Sequence, residues 1–442
     1  MSQIKTRTPT DLLDHSRATP RLVNARASRV LYVWQSDYPW DVRTEKVSGA
    51  LSEAGHEVHV AARNRRWEPA TEVRPEAVVH RLPHWRWPGR RIEAALQVPA
   101  FFSPRWVRLL SSIVRGERFD VIIVRDLPLC PTALWVGRQH GVPVILDMAE
   151  NYPGTFRAKW DAGRQKPWDY LVRNPRLFSR VEDYCIHRVD HIIVVVQESA
   201  DRVAARGVPR ARIDVVSNTP PAERAMNPWP NRARPLGAPL ELAYLGIHTI
   251  ERGLLELIDA VRILRDAGLP VRATIVGIGR DTELLRAHTR GRGLADSDVV
   301  FTGYLNSHAE ALAVIAAADI GVIPSRKTAQ SDATVPNKLF DYMAAGLAVL
   351  TSDTAPCTRI VRESGAGEVF RAGDAADLAA AVRRLADPAI RRAAGEAGRR
   401  AVLERYNWER DTAVLRDVVR RVATRSGGAF DARRPAAGAA SG

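Results

Sequence analysis

Short apolar runs alternate with amphipathic stretches along almost the whole chain. Residues 29–34 (RVLYVW) have the near-continuous hydrophobicity of a strand covered on both faces. Residues 42–54 have the apolar spacing of a helix, and 57–61 return to a strand after Gly55-His56. The same alternation predicts strands at 79–82, 121–124, 142–147, 192–196 and 215–216, with a helix over 131–140 that stops at Gly141. A second series follows, with strands at 240–245, 271–276, 299–302, 320–323 and 348–351. Helices are expected at 253–267, 281–290, 308–317, near Lys338 and at 376–386. Between the series, residues 219–238 contain five prolines and no periodicity, which marks a linker.

This pattern predicts an α/β protein of two doubly wound, Rossmann-like domains facing a cleft. The expected organisation is a flexible arm at 1–28, a first domain at 29–222, a Pro-rich linker at 223–238 and a second domain at 239–405. A helix at 406–424 and a disordered tail at 425–442 complete it. With 442 residues, 45% of them hydrophobic, the chain can bury two separate cores. Three widely spaced cysteines without a CxxC pair read as reduced thiols. No apolar run is long enough to span a bilayer, and the first 28 residues lack a secretory signal, so a cytoplasmic location is expected.

The formal charge of +15 points to an anionic partner and is steeper in the first half, where residues 1–225 carry 35 Lys/Arg against 25 Asp/Glu. No RNP, zinc or helix-turn-helix signature accompanies it, so nucleic acid is not expected as the partner; a nucleic-acid or phosphate-ligand binding module is the alternative reading. The Arg-rich stretch 84–118 carries Trp85, Trp87, Phe101, Phe102 and Trp106. It suits either the surface of an acidic membrane, on the inner face of the cell membrane, or a covered pair of helices.

The most informative segment is 335–350 (VPNKLFDYMAAGLAVL). Pro336 and Asn337 open a helix, Lys338 sits in its first turn, Asp341 lies three residues on, and Gly346 ends it before a strand. A helix start with a cation suits a phosphate, and the acid one turn deeper suits vicinal hydroxyls. A diphosphate and a ribose need both. Gly277 and Gly279 invite a dinucleotide reading, but Thr282 stands where the third glycine belongs.

Together these segments resemble the GT-B glycosyltransferases, and more narrowly the retaining family 4, also called group 1 glycosyl transferases, over about residues 29–415. Gly246-Ile247-His248-Thr249-Ile250-Glu251-Arg252-Gly253 is similar to the family's glycine, basic residue, glycine frame after the first strand of the nucleotide-binding domain. The resemblance implies that Arg252, helped by His248, clamps the diphosphate. It also implies that Gly246, Gly277, Gly279, Tyr304, Leu305, Asn337, Lys338, Leu339 and Asp341 surround the nucleotide-sugar. Asp341 stands at the second of the family's paired glutamates, and Ala333 at the first, so the donor-sugar contact is absent or falls to Ser331 or Asp332. In the first half, Asp126 and Glu150 follow strands in motifs resembling members that build surface polysaccharides or glycolipids. Glu150 is expected to position an acceptor hydroxyl, and Asp126 either to join it or to cap the following helix.

The implied reaction moves a sugar from a nucleoside-diphosphate sugar, UDP before GDP, to a hydroxyl that is free or lipid-linked, with retention. The alternative within the fold is a sugar-nucleotide enzyme of another reaction type. No cofactor and no metal are expected, on the reading that no DxD signature is present and that Arg252 and Lys338 replace Mg²⁺. The terminal helix is expected to cross back to the first domain, as in the family.

Overall fold

In this computed structural model, residues 27–83, 101–161, 163, 170, 173–226, 238–305 and 307–431 are described. The first sheet contains β1 (Arg29–Asp37), β2 (Glu57–Arg63), β3 (Thr71–Val73), β4 (Val78–Arg81), β5 (Val121–Arg125), β6 (Val144–Met148), β7 (His191–Val194) and β8 (Ile213–Val215). Their order is β3-β4-β2-β1-β5-β6-β7-β8, parallel throughout except for the antiparallel β3–β4 edge. The second contains β9 (Leu240–Leu245), β10 (Val271–Val276), β11 (Val299–Gly303), β12 (Ile320–Ile323), β13 (Ala348–Ser352) and β14 (Gly367–Phe370), all parallel, in the order β11-β10-β9-β12-β13-β14.

Both faces of each sheet are covered, so successive residues of a strand enter different cores. Leu31 and Val33 of β1 face one cluster with Ile122 and Val124 of β5, while Val30 and Tyr32 face the other with Val121 and Ile123. This is why the strands read as unbroken apolar runs. Strand order reverses between β1 and β5 in the first sheet and between β9 and β12 in the second. In such sheets the loops beyond the carboxyl ends splay apart at that point and leave a crevice.

The last helix, Trp408–Asp431, lays Leu415, Val418, Val419 and Val422 into the same core as Val30 and Tyr32, on the first domain. Its start is pinned there: Trp408 N–H donates to Pro220 O at 2.9 Å, and Asp411 accepts from Ser217 N at 3.1 Å and from Thr219 Oγ1 at 2.5 Å. The helix runs to Asp431, past the residue 424 limit expected for it, so residues 425–431 are helical; the rest of the expected tail lies outside the described residues, as does most of the arm at 1–28. Within the expected linker, Glu223–Met226 forms a short helix whose Ala225 is buried, and 227–237 lie outside the described residues.

Several helices occupy stretches where the hydrophobic pattern predicts none, among them Tyr152–Asp161, Pro175–Ile186, Ala355–Ser364 and Pro388–Glu404. The helix Pro104–Gly116 lies within 84–118, and its buried side fits the covered-helix alternative for that stretch. Phe101 and Trp106 are buried in the core, Phe101 edge-on to Phe178 at 4.7 Å, while Phe102 is exposed beside Trp135. Residues 84–100 lie outside the described residues. Among the described residues no helix is long and apolar enough to cross a membrane.

The first domain is tied together by a buried ion pair. Arg43 Nε lies 3.1 and 3.0 Å from the two Asp147 oxygens and Nη2 is 2.5 Å from Oδ1. Tyr32 Oη donates to Oδ2 at 2.7 Å, and Arg43 Nη1 reaches Val216 O at 3.0 Å. Burial pushes the Asp147 carboxyl up, but the charge and hydrogen bonds of Arg43 outweigh it and hold the group below its ordinary value. A depressed acid stabilises the fold above its unfolded pKa, and that contribution disappears as pH falls through the folded value. Arg43→Met leaves Asp147 buried without its cation and should lower unfolding stability at pH 7 by about 3–5 kcal/mol in a guanidinium titration, whereas Arg43→Met with Asp147→Leu should recover much of it. An unchanged midpoint in the single variant would show that the pair does not hold the domain.

Candidate active site

In the second domain the loop after β9 must turn sharply beside the loop after β12. Gly246 has φ +142°, and a Cβ there would come within 2.8 Å of Lys338 Nζ; Gly253 has φ +70°, and a Cβ there would overlap Pro324 O at 1.7 Å. Only glycine fits either position. Lys338 begins the helix Lys338–Ala344 and folds its ammonium over the ring of Tyr244, 3.8 Å from the centroid. Arg252, exposed at the end of the short 3₁₀ turn Ile250–Arg252, stands close enough for its charge to act on Lys338. Burial first, and then Arg252, push the Lys338 ammonium well below its ordinary value, against the opposing pull of Asp341. Two cations are thus held together where β9 ends, and an anion between them turns their repulsion into attraction.

The other sequence candidates divide. Asp341 is buried near Lys338, and one of its carboxylate oxygens lies 3.2 Å from Arg224 Nη1 of the short linker helix. Tyr304 is exposed after β11, with Leu305 half-buried behind it. Asn337 is exposed, and its side chain makes no capping bond. Two expectations need correction. His248 is fully buried and bonds Thr282 Oγ1 at 3.1 Å, so it braces the loop instead of facing the cleft. Leu339 is fully buried in the core behind the helix. Gly277 and Gly279 serve packing: a Cβ on either would come within 2.2 Å of a backbone oxygen, of Gly246 and His248 respectively, so they let two loops lie against each other.

The sequence reading missed the residues beside Tyr304. Ile247, Ile278 and Tyr304 follow the adjacent strands β9, β10 and β11 and are 61%, 53% and 77% exposed. Such a row of bare apolar side chains at the carboxyl edge is a platform for a flat ring.

Across the cleft, Asp126 follows β5 with φ +62°, a strained conformation for a residue other than glycine. It does not cap the helix after it. Its Oδ1 accepts the backbone N–H groups of Ala149 and Glu150 at 3.0 and 3.1 Å, fixing the loop that carries Glu150. Burial pushes the Asp126 carboxyl up to about 7; Arg125 opposes this while Glu150 and Asp147 add to it. Glu150 keeps an exposed face to the cleft. Burial of its carboxyl raises it, with Gln330, Arg125 and Arg252 pulling the other way.

The loop 326–334 of the second domain closes the cleft. Gln330 Nε2 donates to Glu150 Oε2, Asn151 Nδ2 to Ala329 O at 3.0 Å, and Ser199 Oγ to Ala333 O at 2.6 Å. Arg359 and Glu198 add an ion pair across the same gap at 2.7 Å. Ser331 and Asp332, the two stand-ins for the missing acid, are engaged locally: Ser331 Oγ bonds Arg326 O and Thr328, and Asp332 accepts Ala355 N–H at 2.9 Å.

Asp296-Ser297-Asp298 does have DxD spacing, contrary to expectation, but it precedes β11 at the end of the sheet away from the cleft. There Asp298 is engaged by Ala295 N–H and Arg265, both at 2.9 Å. Among the described residues one cluster has metal-ligand spacing, Glu57, His59 and Glu117, beside the amino end of β2, where Arg29 pairs with both acids.

Residues 41–219 match the family model described as glycosyl transferase 4-like domain, and residues 240–387 the one described as glycosyl transferases group 1. A glycogen synthase of Mycobacterium tuberculosis is 26% identical over 385 residues, 82% of this chain and 86% of that protein. A putative colanic acid biosynthesis glycosyltransferase, WcaL of Escherichia coli, is 30% identical over 193 residues, 43% of this chain and 46% of that one. Among solved structures, Anabaena HepE in complex with UDP superposes with a TM-score of 0.65 at 12% identity, covering 88% of this chain and 99% of that one. With one family model on each sheet and the cleft between them, the chain belongs to the GT-B glycosyltransferases.

Proposed function

We propose that this enzyme transfers a hexose from a nucleoside-diphosphate sugar to an acceptor hydroxyl in polysaccharide or glycolipid synthesis, with retention and without a metal ion. The observation that carries the donor assignment is the placing of Lys338 beside Arg252 under a glycine turn, with the apolar tips of Ile247, Ile278 and Tyr304 alongside. A diphosphate satisfies the cations and a base ring covers the tips. UDP is favoured over GDP, with the UDP complex of HepE as support. WcaL and the glycogen synthase support a saccharide acceptor by their names.

In this reading the anomeric carbon–phosphate oxygen bond breaks as the acceptor oxygen bonds to carbon, and the acceptor proton passes to the departing phosphate. Negative charge on that phosphate grows toward the transition state, so Arg252 and Lys338 bind it more strongly there than in the ground state. Glu150 faces the same cleft from the first domain and orients the incoming hydroxyl. Asp126 acts through Glu150 by holding its backbone.

A thermal-shift panel of UDP, GDP, ADP, CMP, NAD and an oligonucleotide tests the donor class. Stabilisation by a nucleoside diphosphate alone is expected; a response to the oligonucleotide alone would favour a nucleic-acid binder. Lys338→Met should reduce kcat by about a hundredfold or more, since one donor to a developing oxyanion contributes ~3 kcal/mol. Wild-type turnover in that variant would remove Lys338 from the mechanism.

The raised Asp126 carboxyl has the opposite pH signature from Asp147. The unfolded chain ionises near pH 4 while the folded chain holds the proton to about 7, so this group costs stability as pH rises across that window. Asp126→Asn keeps an oxygen for the two N–H groups without the charge. It should flatten the fall in stability between pH 4 and 7 and leave the variant about 1–4 kcal/mol more stable than wild type at pH 8 in urea titrations. Parallel stability curves for the two proteins would show that Asp126 is not buried as an acid.

A further inference from the structure

The paired-acid pattern places the first acid where this chain has Ala333, and the structure leaves that position without a polar side chain: Ala333 is buried and its carbonyl is taken by Ser199. The adjacent Ser331 and Asp332 are committed to a turn and to a helix start. Gln330 is different. Its Nε2 donates to Glu150, a carboxylate that can only accept, which fixes the orientation of the amide and turns Oε1 the other way. That oxygen is buried and makes no hydrogen bond. A buried acceptor without a donor is unfavourable unless a ligand supplies one.

The surroundings say which kind of ligand. Gln330 bonds Glu150, and the charge of Arg252 acts on that same carboxylate, so the amide borders the space that runs from the residue assigned to the acceptor toward the residue assigned to the diphosphate. In a transfer reaction the group lying between those two is the sugar of the donor. Resting on the function proposed above, we infer that Gln330 reads the donor sugar, its Oε1 accepting a hydrogen bond from a sugar hydroxyl in place of the acid missing at Ala333. A neutral amide suits this place because a second carboxylate beside Glu150 would repel it and draw charge from Arg252 and Lys338. Recognition through a buried acceptor also discriminates well, since a sugar epimer that turns the hydroxyl away leaves Oε1 unpaired.

Calorimetric dissociation constants on the full chain test this without knowledge of the acceptor. UDP and GDP are measured first, then UDP-glucose, UDP-galactose and GDP-mannose, on wild type, Gln330→Met and Gln330→Glu. In wild type, one sugar of the panel should bind better than its own nucleotide. In Gln330→Met that advantage should fall by about tenfold, the preference among sugars should narrow to within about threefold, and affinity for the bare nucleotide should stay within about twofold. Gln330→Glu keeps an acceptor oxygen beside Glu150. It should retain sugar preference at pH 5.5, where the acid pair shares a proton, and lose it at pH 8. If Gln330→Met keeps the wild-type sugar preference with nucleotide affinity intact, the role assigned to Gln330 is wrong while the donor assignment stands. Failure of wild type to bind either UDP or GDP would overturn the donor assignment and this inference with it.

Discussion

Two basic groups, Lys338 half-buried and Arg252 exposed, brought together where β9 ends set the terms for the rest of this molecule. Lys338 can lie over Tyr244 only because position 246 has no side chain, and Arg252 can stand beside it only because position 253 has none. Neither cation gains from the other. The arrangement persists because the core fixes both backbones: the helix carrying Lys338 is buried through Leu339, Phe340, Tyr342 and Met343, and the turn carrying Arg252 leads into Leu254, Leu257 and Ile258. Packing free energy spread over many apolar contacts thus offsets a local repulsion, a trade found where a site must be poised for an anion.

The same division of labour holds across the cleft. Asp147 looks at first like a cleft acid, because it ends an apolar strand in a motif with Glu150. Its carboxylate is instead consumed by Arg43 and Tyr32, and only Glu150 reaches the cleft. Asp126 is intermediate: strained, buried and engaged with backbone N–H groups, it determines where Glu150 stands. One acid braces the domain, one positions a loop and one faces the cleft.

How far the sequence was readable follows from how each feature is built. The strands expected at 240–245, 271–276 and 320–323 coincide with β9, β10 and β12, since strands covered on both faces leave continuous apolar runs. The helix Pro388–Glu404 escaped because its buried stripe is Ala394, Gly395, Gly398, Ala401 and Val402, too small to register as hydrophobic; Gly395 approaches Gly346 O so closely that a Cβ would come within 2.2 Å. In the site, the Lys338 segment and the glycine frame were visible because each is contiguous. His248 and Leu339 are buried where contact with the ligand was expected, because a motif shows spacing and not which way a side chain faces. Gln330 was invisible: its partner Glu150 lies 180 residues away, and nothing local distinguishes it from any polar loop residue.

The substitution of Ala333 for an acid has an electrostatic consequence beyond the lost contact. A carboxylate there would have added a negative charge to the loop that closes the cleft. In its absence Asp341 is the nearby acid acting on Lys338, and its carboxylate is also shared with Arg224 from the linker helix. Asp341 thus opposes the loss of charge at Lys338, which burial and Arg252 drive, and an anion bound beside the two groups favours their charged forms further. Sugar recognition is then free to pass to neutral groups, and the loop 326–334 meets that condition by reaching the first domain through an amide, a carbonyl and an alanine peptide. Because those contacts join the two domains, the loop that carries Gln330 is also the one that holds the cleft closed.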